Sequence, residues 1–215
     1  MKVKWLGHAS FLITSDNGTS IITDPYVAGS GLKYGEIKES ADIVTVSHDH
    51  FDHNNVAAVG GSPQVVKDAA ATEIKGIGFR GVPTYHDDNQ GKDRGRNVIF
   101  IMDIDGMKIC HAGDLGHSLS SQQVAEIGKV DVLLVPVGGF FTIDARVATE
   151  VCNALSPSVI IPMHFKNDRC DFPIAGVEDF IAGKAAVLQP EATEAEFRAG
   201  ELPEDTEIVV LNPAL

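Results

Sequence analysis

Residues 48–53 read His48-Asp49-His50-Phe51-Asp52-His53. Three imidazoles and two carboxylates in six positions are poor material for a core and good material for holding divalent metal. His48 and His50, at i and i+2, project to the same side of an extended segment and can grip one ion. Asp52 and His53 follow as the chain turns and face a neighbouring position, so the hexapeptide offers half-sites for two ions. A catalytic ion usually takes three protein ligands and leaves room for water. About two more side chains are therefore needed, and a bridge between the ions is one way to complete the set.

The candidates are few. Outside the cluster the histidines are His8, His86, His111, His117 and His164. His86 lies in Pro83-Thr84-Tyr85-His86-Asp87-Asp88, at the start of a polar loop that includes Gly91 to Gly95. Asp114 sits in His111-Ala112-Gly113-Asp114-Leu115-Gly116, where the glycines allow tight backbone approach. His164 sits in Ile161-Pro162-Met163-His164-Phe165.

Elements of the right kind stand in front of these residues. Ile43-Val44-Thr45-Val46 ends at His48, Met107 to Cys110 ends at His111 and Asp114, and Val159-Ile160-Ile161-Pro162 ends at His164. Each apolar β run delivers a metal-capable residue at its C-terminal end, where sites form in α/β folds. Further strand signals are Lys2 to Leu6, Phe11 to Thr14, Ser20 to Thr23, Val98 to Ile104, Val132 to Val135 and Glu207 to Leu211. Asp16-Asn17-Gly18 and Asp105-Gly106 predict hairpin turns. Helical patterns cover Ser121 to Ile127, Ile143 to Leu155 and Val177 to Ala182. In the second, Val147, Val151, Ala154 and Leu155 share a face, Thr142 can cap the start and Pro157 fits the end. Short strands with interleaved helices predict a mixed α/β layered domain over residues 1–215.

Composition narrows the function. The 215 residues are 44% hydrophobic with a net charge of −13. A surface that acidic repels phosphate backbones and argues against nucleic-acid binding. The longest apolar stretch, Val130 to Phe141, is broken by Asp131, Pro136 and two glycines, so a membrane span is not expected. The first residues lack a signal peptide's apolar run. Cys110, Cys152 and Cys170 are odd in number and far apart, which suits reduced thiols and a cytoplasmic location.

In its ordered motifs the sequence resembles the metallo-β-lactamase superfamily: His-x-His-x-Asp-His at 48–53, a lone His86, Gly113-Asp114, and Pro162-Met163-His164. Gly7-His8-Ala9-Ser10-Phe11 and Thr23-Asp24-Pro25 look like the branch of small metal-dependent hydrolases related to L-ascorbate-6-phosphate lactonases. The resemblance spans residues 1 to about 165. It implies a four-layer αββα sandwich with a two-metal site at its edge. His48, His50 and His86 would hold the first ion, Asp52, His53 and His164 the second, and Asp114 would bridge them. Asp24 would accept the N–H of a ligand histidine and fix its tautomer. Two divalent ions about 3.5–4 Å apart can share a water and lower its pKa towards ~7. The resulting hydroxide would attack a small ester, lactone or phosphodiester, with Asp52 orienting it or taking a proton as well as ligating. Zn²⁺ is the expected metal, with Mn²⁺ or Fe²⁺ also admitted by mixed His and carboxylate donors.

Other readings remain open on sequence alone. A metal-binding sensor or scaffold without turnover would keep the same ligands, and a nucleic-acid phosphodiesterase is opposed chiefly by the charge. His8 is either a buried core histidine or a residue that supports the pocket. His111 reads as structural and His117 as a loop residue. Arg94 and Arg96 are solvated loop charges or contacts for an anionic substrate group. Phe140-Phe141 either walls the pocket or packs in the core. Cys170 has no recognisable base partner for thiol chemistry. The expected partner is a small-molecule substrate; whether the chain forms a homo-oligomer is not legible.

Overall fold

Two sheets carry the chain, and each is built where apolar residues recur with the period of a strand. The computed structural model describes residues 1–215. The first sheet has six strands in the order β13-β1-β2-β3-β4-β5. Its members are β1 (Lys2–Gly7), β2 (Ser10–Thr14), β3 (Ser20–Thr23), β4 (Ile43–Thr45), β5 (Gln64–Val66) and β13 (Glu194–Glu196). The second has eight, in the order β12-β14-β11-β10-β9-β8-β7-β6. These are β6 (Thr72–Ile74), β7 (Ile77–Tyr85), β8 (Arg96–Ile104), β9 (Met107–His111), β10 (Val132–Pro136), β11 (Val159–Met163), β12 (Val187–Leu188) and β14 (Glu207–Val209). β10 and β11 are buried along their whole length, as parallel central strands covered on both faces must be.

The sheets pack face to face. In the first sheet Val3, Trp5, Phe11, Ile13, Ile21 and Ile43 point into the core between them. Full burial of side chains this size contributes about 1.5–3 kcal/mol each. Three helices cover the far side of the second sheet: α1 (Ser121–Ile127), α2 (Ala145–Leu155) and α3 (Glu178–Ile181). Here α1 lies against β7, α2 against β10, and α3 against α2. On the outer face of the first sheet Leu6, Ile22 and Val44 are covered by Tyr26, Leu32, Tyr34 and Ile37 and by a 3₁₀ turn, Val56–Ala58. The layer order is that of the expected αββα sandwich. Over the first sheet, however, the outer layer is mostly irregular chain, because Gly29 and Gly31 adopt positive φ and interrupt any helix there.

Several local expectations need correction. The cap of α2 is Asp144, whose side chain accepts the Val147 N–H; the Thr142 hydroxyl instead donates to the Ile143 carbonyl. The buried face of α2 is Ala148, Val151, Cys152 and Leu155, leaving Ala154 exposed. α3 is shorter than the 177–182 pattern suggested. The strand β7 was not foreseen, and neither were the short edge strands β5, β6, β12 and β13. Both expected hairpins form: Gly18 closes the β2–β3 turn onto the Ser15 carbonyl at 2.9 Å, and Asp105-Gly106 joins β8 to β9. The three cysteines are free and buried. No helix is long and apolar enough to cross a membrane.

Candidate metal centre

Six strand ends converge at one edge of the sandwich. β1, β3 and β4 run in the same direction in the first sheet. In the second sheet β7, β9 and β11 do likewise. His8 follows β1, Asp24 follows β3, and the 48–53 segment comes shortly after β4. His86 follows β7, Asp114 comes three residues after β9, and His164 follows β11. A backbone bond ties the sheets together at this edge, from the Val98 N–H on β8 to the Ser47 carbonyl at 3.0 Å.

Every residue singled out for metal in the sequence arrives here. Asp114 stands at the centre. Around its Oδ2 lie the Nε2 atoms of His53 and His86 at 3.2 Å, His164 at 3.4 Å and His48 at 3.9 Å. The potential ligand atoms of His48, His50 and His86 lie within 4.8 Å of one another, and so do those of His8, Asp52, His53 and His164. The two groupings match the two half-sites expected from the sequence, with His8 added to the second.

Tautomers are set from one buried carboxylate. Asp24 Oδ2 accepts from His53 Nδ1 at 2.9 Å and from the Ser47 hydroxyl at 2.5 Å, while Oδ1 accepts the Ser47 N–H at 2.7 Å. With its proton given to Asp24, the Ser47 oxygen accepts from His48 Nδ1 at 3.0 Å. In their neutral forms both imidazoles therefore carry the proton on Nδ1 and turn a bare Nε2 inward. Asp24 thus orients one histidine in each half-site, directly for His53 and through Ser47 for His48. Ser47 was missed in the sequence, although a hydroxyl beside the first histidine of the cluster was a signal within reach.

Asp114 is held as firmly. Its N–H donates to Asn97 Oδ1 at 3.0 Å, and the Asn97 amide donates to the Ala112 carbonyl and to Thr84. Gly113 has φ +54°, and a Cβ there would run into Ser47 and Asn97. A Cβ on Gly116 would run into the His86–Asp87 backbone. These two glycines let the Asp114 turn sit against both the 48–53 segment and the His86 loop.

Burial and charge then compete. Burial alone would raise the Asp114 and Asp24 carboxyls, but neighbouring imidazoles, His164 and His53 for Asp114 and His53 for Asp24, hold both below the usual carboxylate range. Asp52 is lowered too, against its own burial, by the His8 hydrogen bond and by His53. Burial would lower His53, yet Asp114 and Asp24 outweigh it and raise that imidazole well above its ordinary value. Burial, and then His53, push His48 down to about 3. The Nε2 atoms of His48, His53 and His164, with Asp114 Oδ1, are buried and have no hydrogen-bond partner in the protein. Buried polar atoms are normally paired. Unpartnered donor atoms gathered around Asp114 fit a divalent cation, and imidazole with carboxylate is the donor set such an ion takes.

The remaining candidates separate clearly. His8 is buried at the centre and no ordinary core histidine: its Nε2 donates to Asp52 Oδ2 at 3.1 Å. His111 is structural, donating to the Ala9 carbonyl and accepting the Gly113 N–H. His117 is a loop residue bonded to Tyr85 N and the Ser118 carbonyl. Phe141 and Arg94 line a cavity of about 670 Å³ that opens over the centre, together with Phe51 and Phe172, which the sequence reading had not placed there. Cys170 is buried, and burial raises its thiol, so it takes no part.

Two parallel-ended sheets that gather histidines and aspartates at one edge define a metal-binding αββα protein. The profile of the Beta-lactamase superfamily domain matches residues 2–164, and the chain belongs to that superfamily. A UPF0173 metal-dependent hydrolase from Pyrococcus abyssi is 30% identical over 192 residues, spanning 77% of this chain and 84% of the relative. One from Archaeoglobus fulgidus is 28% identical over 99% of this chain and 96% of its own length. Among solved structures, a Thermotoga maritima protein described as a Zn-dependent hydrolase of the metallo-beta-lactamase superfamily superposes with a TM-score of 0.81. It is 37% identical and covers 98% of this chain and 97% of its own.

Proposed function

We propose that the chain is a dinuclear metal-dependent hydrolase of a small ester, lactone or phosphodiester. His48, His50 and His86 hold one ion, Asp52, His53 and His164 the other, and Asp114 lies between. The observation that carries this reading is the convergence of four imidazole Nε2 atoms on the single Asp114 Oδ2. A sensor needs only one ion held tightly; a carboxylate shared by two histidine sets suits a pair.

When bound, two divalent ions supply Lewis acidity and draw the pKa of a shared water towards about 7. The protein's own groups do the rest. Asp24 and Ser47 keep lone pairs of His53 and His48 facing inward. His8 steadies Asp52 through its Nε2–H, so that Asp52 can orient a nucleophile or receive its proton in addition to ligating. Phe51, Phe141 and Phe172 give the approach to the centre an aromatic wall. A cavity of about 670 Å³ suits a small molecule, and a net charge of −13 disfavours nucleic acid and anionic membrane surfaces as partners. The His-rich donor set favours Zn²⁺, with Mn²⁺ or Fe²⁺ able to substitute. Three buried free thiols suit the reducing cytoplasm.

The test is elemental analysis of wild type beside Asp114→Ala, with hydrolysis of bis-p-nitrophenyl phosphate and activated esters. We expect about two metals per wild-type chain, fewer in the variant, and turnover lost on chelation and restored by Zn²⁺ or Mn²⁺. Two ions retained by Asp114→Ala would remove the bridge. Fully metallated wild type that is silent on esters, lactones and phosphodiesters would remove the hydrolase.

A further inference from the structure

The cavity over the metal centre has a single cation in its lining, Arg94. Its neighbours there include Asp49 and the two carboxylates already assigned to metal, Asp52 and Asp114. In a chain with 30 acidic residues against 17 basic, an arginine normally finds a carboxylate. The Arg94 guanidinium makes no ion pair and no hydrogen bond within the protein, and its Cζ lies 5.7 Å from the centroid of the Phe141 ring. That is cation–π distance, and the packing leaves the guanidinium N–H fork unengaged.

The position of Arg94 is fixed by its loop. Asp87 is buried and accepts the backbone N–H groups of Asn89, Gly91, Asp93 and Arg94 at 2.7–3.0 Å. The loop closes where the His86 N–H meets the Gly95 carbonyl at 3.0 Å. Arg94 is therefore tethered to the residue that follows β7 and serves the first half-site. On its other side a groove of about 500 Å³ carries two further cations, Lys67 and Arg96, together with the carboxylates of Asp49 and Asp68. Beside Arg94 the cavity presents aromatic surface: Phe51 is 51% exposed, and Phe141 and Phe172 stack edge-on at 5.6 Å.

We infer that the molecule cleaved here is an amphipathic anion. It carries a carboxylate or phosphate, apart from the bond to be hydrolysed, that Arg94 receives through its guanidinium fork, and an apolar or aromatic body that packs on Phe141 and Phe172. A planar fork beside an aromatic ring is the arrangement that recognises oxyanions bidentately. This rests on the hydrolase reading of the same centre.

The experiment uses metal-loaded protein: wild type, Arg94→Ala, Arg94→Lys and, as a control, Arg96→Ala, with metal content checked in each. Calorimetric titration with phenylphosphonate, benzoate and neutral benzamide reads binding without turnover, and the first two separate phosphate-like from carboxylate recognition. In Arg94→Ala we expect at least one of the two anions to bind about tenfold or more weakly, the loss typical of a charge-assisted pair. Lysine should recover only part, and benzamide should gain nothing from Arg94. In parallel, the kcat/KM ratio for 4-acetoxybenzoate over its methyl ester should fall by about tenfold or more in Arg94→Ala. Anion binding that is equal in wild type and Arg94→Ala, with metal retained, overturns the inference even if hydrolysis is normal. Arg94-dependent anion binding in a protein that cleaves neither ester upholds the anion site and fails the hydrolase.

Discussion

Asp24→Asn is the substitution that most directly probes how this centre is organised. The asparagine has nearly the shape of the aspartate, but it has one acceptor oxygen where the carboxylate had two. The Ser47 backbone N–H, 2.7 Å away, can only donate, so the amide oxygen must stay with it. The NH₂ group then occupies the place of Oδ2, facing the Ser47 hydroxyl and His53 Nδ1. Now His53 Nδ1 must accept, and its proton moves to Nε2. The Ser47 hydroxyl also accepts, and its own proton turns towards His48 Nδ1. One atom change thus inverts the tautomer in both half-sites and puts protons on the two Nε2 atoms that face Asp114. The hydrogen bonds among residue 24, Ser47, His48 and His53 all remain made, so the fold should survive. Returning either histidine to its ligating tautomer leaves one buried hydrogen bond unmade, about 1–3 kcal/mol. Losses of 10–100-fold in metal affinity are typical when such orienting partners are removed. We therefore expect both ions to bind about 10–100-fold more weakly, measured by competition with a chromophoric zinc chelator. Ser47→Ala separates this from simple loss of charge: it cuts the path to His48 alone, so only one of the two ions should weaken. Wild-type affinity for both ions in a folded Asp24→Asn protein would refute the reasoning.

Two further outcomes follow from the same geometry. Gly113→Ala places a methyl group against Ser47 and Asn97 at a backbone φ of +54°; strain and overpacking together should cost about 2–4 kcal/mol in denaturant unfolding, and a cost near zero would mean that the Asp114 turn can shift freely. Asp114 and Asp24 raise His53 well above its ordinary value and so favour its protonated form when no ion is bound, whereas a ligating imidazole must be neutral. Zinc binding should then release at least one proton per chain and weaken as pH falls, read by titration calorimetry in buffers of different ionisation enthalpy; heats independent of the buffer would contradict it.

Much of the centre was legible because its chemistry is written in short, ordered motifs. The hexapeptide, Gly113-Asp114 and His164 each follow an apolar run, and a side chain just past a strand end has few places to go; His86 was placed by its order among the motifs. What escaped notice depended on contacts between distant segments. Ser47 acquires its role only because Asp24, from a different strand, lies 2.5 Å away. On sequence alone Arg94 is either a solvated charge or a substrate contact, and it reaches the cavity because Asp87 gathers four N–H groups of its loop. β7 was hidden by its composition. Gly78, Gly81 and Pro83 break the alternation of Ile77, Phe79, Val82 and Thr84. Yet Gly81 is there because a Cβ would collide with Ala69 and Val98, a constraint no local pattern reveals. Thr142 was a plausible cap by type, but Asp144 stands two residues closer to the first free N–H groups of α2 and takes the position.

Backbone strain shows what organises the site. His8, Asp24 and His164 have φ values of 54°, 38° and 51°, in the left-handed region that costs a non-glycine residue about 1–3 kcal/mol. All three directly follow strands at the converging edge. Fixed contacts hold them there: the Trp5 indole donates to the His8 carbonyl at 3.0 Å, the His164 N–H donates to the same oxygen at 3.2 Å, and the Asp24 N–H donates to the Thr45 carbonyl at 2.9 Å. The His8 carbonyl thus links the end of β1 in one sheet to the end of β11 in the other. Packing of Trp5 between Phe11 and Phe165 anchors the indole in turn. Strain of this kind persists only where the surrounding frame over-determines the backbone. The ligand directions are therefore set by the two sheets meeting, before any ion arrives, and cations entering such a centre need reorganise little beyond the proton on His53.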